Sequence, residues 1–255
     1  MKTSYCSNVF KFEDLERGLR FIAQLGYEGT EFWEKHLCEL NVDELAALLG
    51  EIDLAVAQIC PYFDFTAGPA EWDESIKIAE TYIDYARKLG RPLIRVFTGK
   101  VGSADASPEQ WEACIRGLRK VCEMAAPEGI AYAMETHRGS LMDTPDATRR
   151  LLDEVAMDNL GVNLQTGPNM GDWHVWLDRV GERVIHMHCH NYGDDGKMAF
   201  LDEGTFYDFA AFVDAVAEKG FSGYLSLEHG YHSGDVWETA RHEIGHLKAL
   251  VAKYA

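Results

Sequence analysis

Short apolar segments and amphipathic helical segments alternate along the whole chain of 255 residues. Eight strand-like segments can be counted, the first at residues 3–6 and the last at residues 223–228, and each precedes a segment with helical periodicity. No Pro/Gly/Ser-rich linker separates them, and no GxGxxG loop of a doubly wound sheet follows the first strand. Eight such units in about 250 residues are typical of a barrel. The sequence therefore predicts an α/β protein in which residues 1–255 form a single (β/α)8 TIM-barrel domain.

Charge and composition narrow the class of function. The formal net charge of −18 disfavours a nucleic-acid partner, because such a partner requires a basic face. The chain contains no apolar run of about 18 residues, so no membrane span is expected. The first residues lack the apolar core of a signal peptide, and we therefore expect a cytoplasmic location. The six cysteines are scattered without a CxxC pair, which is typical of reduced, mostly buried thiols.

Polar residues recur at one kind of position in the last four predicted strands. Alternate residues of a barrel strand face the interior. In these strands the alternation places apolar residues on the side of the helices and polar residues on the side of the barrel axis. Since TIM-barrel active sites lie at the carboxyl ends of the strands, the inward residues there are predicted to converge. They are Glu135, Gln165, His188 and Glu228.

These four side chains have the chemistry of a metal site. Two carboxylates, an amide oxygen and an imidazole suit a divalent cation such as Mn²⁺, Mg²⁺, Co²⁺ or Zn²⁺. The absence of a thiolate argues against a structural zinc site. We therefore predict a divalent metal as cofactor. The alternative is a polar plug without metal in the mouth of the barrel.

Five motifs occur in order along nearly the whole chain: LGYEGTEF at residues 25–32, ETH at 135–137, GVNLQTG at 161–167, HMH at 186–188 and SLEH at 226–229. Together they resemble the sugar phosphate isomerase/epimerase family, whose fold is the xylose isomerase-like TIM barrel. The resemblance implies Glu135, Gln165, His188 and Glu228 as metal ligands, with Mn²⁺ as the first expectation. In the ketose 3-epimerase branch the two glutamates also act as acid and base, which implies catalytic roles for Glu135 and Glu228.

The implied reaction has a clear physical requirement. A C–H bond next to a carbonyl becomes acidic only if the developing oxyanion is stabilised, which a divalent metal can do. A base with a raised pKa must also lie within reach of the proton. The resemblance thus implies a metal-dependent sugar isomerase or epimerase with a small carbohydrate-like substrate.

Three positions depart from the family pattern. Gln165 stands where the family has an acid, Pro168 where it has a substrate-contacting histidine, and Asp194 where the epimerases have a substrate-binding arginine. Gln165 removes one negative charge from the ligand set, so the cation would be bound more weakly but would be a stronger Lewis acid. The other two changes remove contacts that hold a ketose in the epimerases.

His137 lies two residues beyond Glu135, on the same predicted face. Relatives with this Glu-Thr-His motif resemble enzymes that act on 3-keto glycosides, including C-deglycosidases and other β-eliminating lyases. In such an enzyme His137 would be the general base, since a neutral imidazole suits this task. The alternative is a hydrogen bond between His137 and a neighbouring loop.

Four further residues are predicted to contact substrate, each with a simpler alternative. Glu31 and His36, at and after the end of the second strand, would meet substrate hydroxyls, or they are surface charges. Tyr62 would form part of an apolar wall over a sugar face, or it only packs in its loop. His190 would line the pocket, or it is a solvated loop residue.

Four functional hypotheses stay open from the sequence. The first is the metal-dependent isomerase or epimerase, and the second is a C-deglycosidase or β-eliminating lyase on a 3-keto glycoside. The third, an apurinic-type endonuclease on the same barrel, is disfavoured by the acidic charge. The fourth is a non-catalytic sugar-binding or accessory subunit, and a homo-oligomer is compatible with each hypothesis.

Overall fold

A computed structural model describes residues 1–165, 167–168, 171–228 and 235–254. Eight parallel strands close into one barrel, in which each strand pairs with its two neighbours. The predicted (β/α)8 TIM barrel is thus confirmed. The barrel strands are β1 (Lys2–Cys6), β2 (Gly29–Trp33), β3 (Ala55–Cys60), β4 (Leu93–Val96), β5 (Tyr132–Glu135), β6 (Leu160–Gln165), β7 (Val184–Cys189) and β10 (Tyr224–Leu227).

Helices surround the barrel and bury their apolar faces against it. No helix in the described ranges is long and apolar enough to cross a membrane. The helices are α1 (Leu15–Leu25), α2 (Glu34–Leu37), α3 (Val42–Glu51), α4 (Pro69–Lys88), α5 (Pro108–Ala125), α6 (Pro145–Val155), α7 (Trp173–Val180), α8 (Phe209–Glu218) and α9 (Val236–Val251).

Local capping sequences explain several helix boundaries. Helix α5 begins with a capping box in which Ser107 and Gln110 satisfy each other's backbone N–H groups, and proline occupies its first turn. The Thr144 side chain caps α6 by accepting from the N–H of Ala147. Helix α1 ends at Gly26, whose φ of +85° favours glycine.

Strand register brings the inward polar residues into layers. Gln165 and Ser226 both lie beside His188, whereas Asn163 and Tyr224 lie beside His186. The predicted inward direction of the polar residues of β6 and β7 agrees with the hydrogen bond between the Asn163 amide and His188. The barrel interior at this level is therefore polar, while the apolar residues of the same strands pack under the helices.

In the sequence, Thr205 precedes a helical segment and predicts a helix N-cap after β7, and the structure differs from this prediction. Residues 191–199 contain a hairpin, β8 (Asn191–Tyr192) with β9 (Met198–Ala199), and α8 begins only after Asp208, which caps it. The Thr205 hydroxyl donates to the Asp194 carboxylate and the Thr205 N–H to the Tyr192 carbonyl. Thr205 anchors the hairpin, so it does not cap a helix.

His36 is buried beneath the loop that follows β1, with 2% of its surface exposed. Its Nδ1 lies 3.1 Å from the Ser7 hydroxyl, and its ring packs near Phe12. Burial, assisted by the Lys35 ammonium, lowers the pKa of His36 to about 4 from an ordinary value of 6.5.

The buried His36 predicts a pH dependence of stability. Between pH 6.5 and pH 4 the unfolded chain binds a proton at this position that the folded chain does not. The free energy of unfolding should therefore decrease as pH falls through this window, with His36 contributing about 1–3 kcal/mol. In urea unfolding, His36→Gln should show a weaker decrease than the wild type. Parallel pH profiles of the two proteins would contradict this assignment.

Candidate active site

Three acidic or basic side chains converge at the carboxyl end of the barrel. Glu135 ends β5, His188 lies in β7, and Glu228 follows β10. One ligand atom from each lies within 4.8 Å of the others, and all three residues are buried. His188 Nδ1 is 3.5 Å from Glu135 Oε1 and 3.3 Å from Glu228 Oε2.

This cluster fits a divalent cation. Two buried carboxylates that face one imidazole nitrogen would repel each other without a positive charge between them. Gln165 adjoins the cluster, since its Nε2 donates to Glu228 Oε2 at 3.3 Å. The structure thus brings the four predicted residues close together. The carboxylate oxygens of Glu135 and Glu228 and the imidazole nitrogen of His188 are donors of the kind that a divalent ion such as Mn²⁺, Mg²⁺ or Zn²⁺ accepts. Gln165 presents its amide nitrogen to Glu228, so only a rotated amide would offer its oxygen to a cation.

The electrostatics of the cluster couple metal binding to the release of a proton. Burial disfavours a charged imidazole, but Glu228, Glu31 and Glu135 raise the pKa of His188 well above its ordinary value. Burial likewise opposes ionisation of Glu228, but His188 and His190 lower the pKa of its carboxyl to about 2. A metal ligand must be the neutral imidazole, so a cation that binds here displaces a proton from His188.

Glu31 forms the layer directly below this cluster. It is fully buried, and its carboxylate accepts from His186 Nε2 at 2.7 Å and from His188 Nε2 at 3.1 Å. Gln58 donates to the same carboxylate at 3.0 Å. A carboxylate that holds one imidazole nitrogen leaves the other for a metal, so Glu31 directs His188 Nδ1 towards Glu135 and Glu228.

Arg95 is a site residue that the sequence analysis missed. Its guanidinium is fully buried and donates to Glu135 Oε2 at 2.9 Å. The same group lies 4.6–4.7 Å from the ring centroids of Trp33, Tyr62 and Phe97. The available signal was a charged residue inside the apolar strand Leu93–Val96, since a buried charge needs a partner.

A cleft with two lobes opens above the cluster. The polar lobe, of about 550 Å³, is lined by Asn8, Lys35, Thr136, Asp143, His190 and Tyr192, among others. The aromatic lobe, of about 820 Å³, is lined by Phe63, Ile78, Phe97 and Lys100, among others. The residues common to both lobes are Trp33, Tyr62, His137, Arg138, Gln165 and Glu228.

His137 has a defined tautomer at the junction of the two lobes. Its Nδ1 lies 2.8 Å from the carbonyl oxygen of Arg138. Because a carbonyl can only accept, Nδ1 carries the hydrogen and Nε2 of the neutral ring is the proton acceptor. Phe97 packs against the imidazole with a centroid distance of 5.5 Å and an interplanar angle of 89°. The predicted loop hydrogen bond is thus present, and it leaves one nitrogen for a base.

The other predicted substrate contacts fall into two groups. Tyr62 and His190 line the cleft, and His190 Nε2 lies 3.2 Å from Glu228 Oε2. Glu31 and His36 are not among the lining residues of either lobe. The prediction that Glu31 and His36 contact substrate is therefore corrected. The Glu31 carboxylate is buried against His186 and His188, and the His36 imidazole is buried beside Ser7.

The positions that depart from the family pattern occupy different places. Pro168 lines the polar lobe, whereas Asp194 accepts from Thr205 in the hairpin segment and lines neither lobe. Asp194 therefore does not replace the substrate-binding arginine of the epimerases. Thr166 and His229, which belong to the motifs, lie outside the described residues.

The metal assignment predicts the effect of two substitutions. Glu135→Gln and Glu228→Gln each remove a charged ligand, so each should lower Mn²⁺ affinity by more than about 100-fold. Calorimetry in buffers of different ionisation enthalpy should also detect proton release by the wild type. Glu80→Gln, on the exposed side of α4, is the matched control and should bind Mn²⁺ normally. Normal affinity in both site variants would refute the assignment.

Glu31 is expected to act on the metal through His188. Glu31→Gln keeps the size of the side chain but weakens its hold on two imidazoles. We expect a loss of about 10–100-fold in Mn²⁺ affinity, measured in the same titration. An unchanged affinity would show that His188 is oriented without this carboxylate.

The comparisons with known proteins agree with the barrel fold. Residues 19–250 match the family model described as xylose isomerase-like TIM barrel. A 3-dehydroshikimate dehydratase from Bacillus anthracis is 29% identical over 187 residues, which are 69% of this chain and 63% of that protein. The match thus spans less than two thirds of that relative. An inosose dehydratase from Geobacillus thermodenitrificans is 23% identical over 245 residues, or 84% of this chain and 81% of the relative.

A solved structure supports the same fold. The crystal structure of the probable 3-DHS dehydratase AsbF from Bacillus anthracis aligns with a TM-score of 0.81 and 24% identity. The alignment covers 97% of this chain and 99% of that chain. The family model covers most of the sequence, and the barrel has the expected closed topology. The chain therefore belongs to the xylose isomerase-like TIM barrel family.

Proposed function

We propose that the protein is a metal-dependent lyase of the dehydratase type, which acts on a cyclic polyhydroxy ketone. The observation that carries this proposal is the position of His137. Its Nε2 is a proton acceptor in the wall of the cleft that Glu228 and Gln165 also line. The names of two relatives, a 3-dehydroshikimate dehydratase and an inosose dehydratase, support the same class of reaction.

The chemistry begins with enolisation. A divalent cation held by Glu135, Gln165, His188 and Glu228, with Mn²⁺ as our first choice, would stabilise negative charge on a carbonyl oxygen. His137 Nε2 takes the proton from the carbon next to the ketone, and the electrons of that C–H bond form the enolate. The imidazole is held by the Arg138 carbonyl and by Phe97, which limits its rotation.

Elimination completes the reaction without a further reactant. The enolate electrons form a double bond to the neighbouring carbon, and the bond from that carbon to its hydroxyl breaks. The departing hydroxyl takes the proton that His137 had accepted, so water leaves and the imidazole is neutral again. The products are an α,β-unsaturated ketone and water, and the electrons balance.

Arg95 orients the Glu135 carboxylate during this reaction. The guanidinium is bonded to one carboxylate oxygen, Oε2, while Oε1 faces His188. The three surrounding rings exclude water from the ion pair. A charge-assisted hydrogen bond in such surroundings restricts the carboxylate to one geometry.

The isomerase or epimerase remains the second candidate. It is favoured by the two carboxylates, Glu135 and Glu228, which both lie beside His188 Nδ1 and could act as acid and base on an enolate. The endonuclease hypothesis is disfavoured by the net charge of −18. A non-catalytic sugar-binding subunit would be favoured by sugar binding that persists in Glu228→Ala without metal.

NMR in D₂O distinguishes the two reactions. With Mn²⁺-loaded protein, 3-dehydroshikimate and an inosose should each be tested alongside a panel of ketoses. Formation of an unsaturated product supports the lyase, whereas deuterium at the α-carbon with no loss of water supports the isomerase. Absence of both exchange and elimination in every compound would refute both proposals.

Removal of the proposed base should lower the elimination rate without changing the amount of bound metal. His137→Ala is expected to lower the elimination rate by about 10²–10⁴-fold, because general base catalysis typically contributes that much. Bound Mn²⁺ should stay at the wild-type level. His174→Ala, an exposed histidine at the start of α7, is the control. Elimination at the wild-type rate in His137→Ala would exclude the proposed role.

A further inference from the structure

The proposed elimination uses only the part of the aromatic lobe that Glu135 and His137 line, and it assigns no role to the aromatic side chains of that lobe. Pockets that hold drug-sized ligands measure about 300–1,000 Å³, so the polar lobe, of about 550 Å³, has room for a single polyhydroxy ring. The aromatic lobe, of about 820 Å³, shares His137 with the polar lobe as a lining residue. Both lobes share Gln165 and Glu228 as wall residues. A molecule bound at the metal cluster can therefore extend into the aromatic lobe.

The wall of this lobe is a set of aromatic rings with fixed orientation. Tyr62 stacks on Phe97 with an interplanar angle of 4° and a centroid distance of 5.9 Å. Trp33 meets Tyr62 edge-on at 6.2 Å. The Arg95 guanidinium lies against all three rings and is itself anchored to Glu135. The rings are thus held in place by a buried cation.

Tyr62 presents an apolar surface to the cleft. It is 44% exposed, one of few large hydrophobic side chains in the described residues with so much accessible surface. An exposed aromatic surface inside a cleft is typical of a ligand-binding wall. The lining of the lobe carries both signs of charge, since it includes Asp64, Glu71 and Glu74 as well as Lys100 and Arg138. Such a mixed rim does not select an anionic or a cationic group.

We propose that the substrate carries a neutral aryl substituent besides its polyhydroxy ketone, and that this substituent binds in the aromatic lobe against Tyr62 and Phe97. This inference rests on the proposed function, which places the reacting ring at the metal cluster. A flat ring is favoured over a branched aliphatic group, because parallel aromatic side chains gain most from offset stacking or edge contacts with another ring. Tyr62 and Phe97 then determine specificity, and His137, which lines both lobes, adjoins both binding regions.

A matched pair of unreactive ligands tests the aryl site. Methyl β-D-glucopyranoside and phenyl β-D-glucopyranoside have the same polyhydroxy ring and no ketone, so neither can be enolised. In ligand-observed NMR titrations of the Mn²⁺-loaded protein, we expect the phenyl compound to bind about tenfold more tightly. Tyr62→Ala should reduce this preference to about twofold or less, whereas Tyr62→Phe should retain it.

The control for these variants is Tyr254→Ala, the same substitution at a 39% exposed tyrosine near the C-terminus, which should keep the full preference. Equal binding of the two ligands, no measurable binding of the phenyl compound, or a preference that survives Tyr62→Ala would overturn the inference. The binding preference for the phenyl compound is measured independently of the proposed elimination. Elimination without an aryl preference refutes only the aryl site, whereas an aryl preference without enolisation of any test compound refutes only the proposed reaction.

Discussion

Three carboxylates buried in the barrel, those of Glu31, Glu135 and Glu228, impose the main electrostatic constraint on this structure. A buried charge without a partner is costly, so each carboxylate needs a positive or hydrogen-bonding neighbour. Arg95 pairs with Glu135, and His188 lies beside all three. The arrangement concentrates charged groups in two adjoining layers of the barrel, below the cleft.

His188 connects the levels of this arrangement. Its Nε2 is held by Glu31 from below, and its Nδ1 faces Glu135 and Glu228 above. The upper three groups are the proposed donor set for a cation, while the lower carboxylate fixes the direction of the imidazole. Because every member sits on a barrel strand or at a strand end, the positions of the donors are set by the strand register rather than by loops.

Arg95 relates the charged layer to the shape of the cleft. One side of the guanidinium bonds Glu135, and its faces contact the rings of Trp33, Tyr62 and Phe97. The Arg95 guanidinium therefore supports both Glu135, a proposed metal ligand, and an aromatic wall. The same wall also positions His137, because the His137 imidazole packs on Phe97. A substitution in this ring cluster is thus expected to alter the positions of both His137, the proposed base, and Glu135, a member of the proposed ligand set.

The sequence by itself determined the barrel and the four residues at the strand ends, because strand alternation and inward parity are local patterns that need no knowledge of distant neighbours. Only the tertiary structure decided which side chains pair with the buried charged residues. Arg95 meets Glu135 across 40 positions, and Glu31 meets His186 across 155. The sequence placed Glu31 at a strand end but not its depth in the barrel, which depends on stagger between neighbouring strands. The aromatic lobe likewise arises from loops that pack together, and loop packing leaves no periodic signal in the chain.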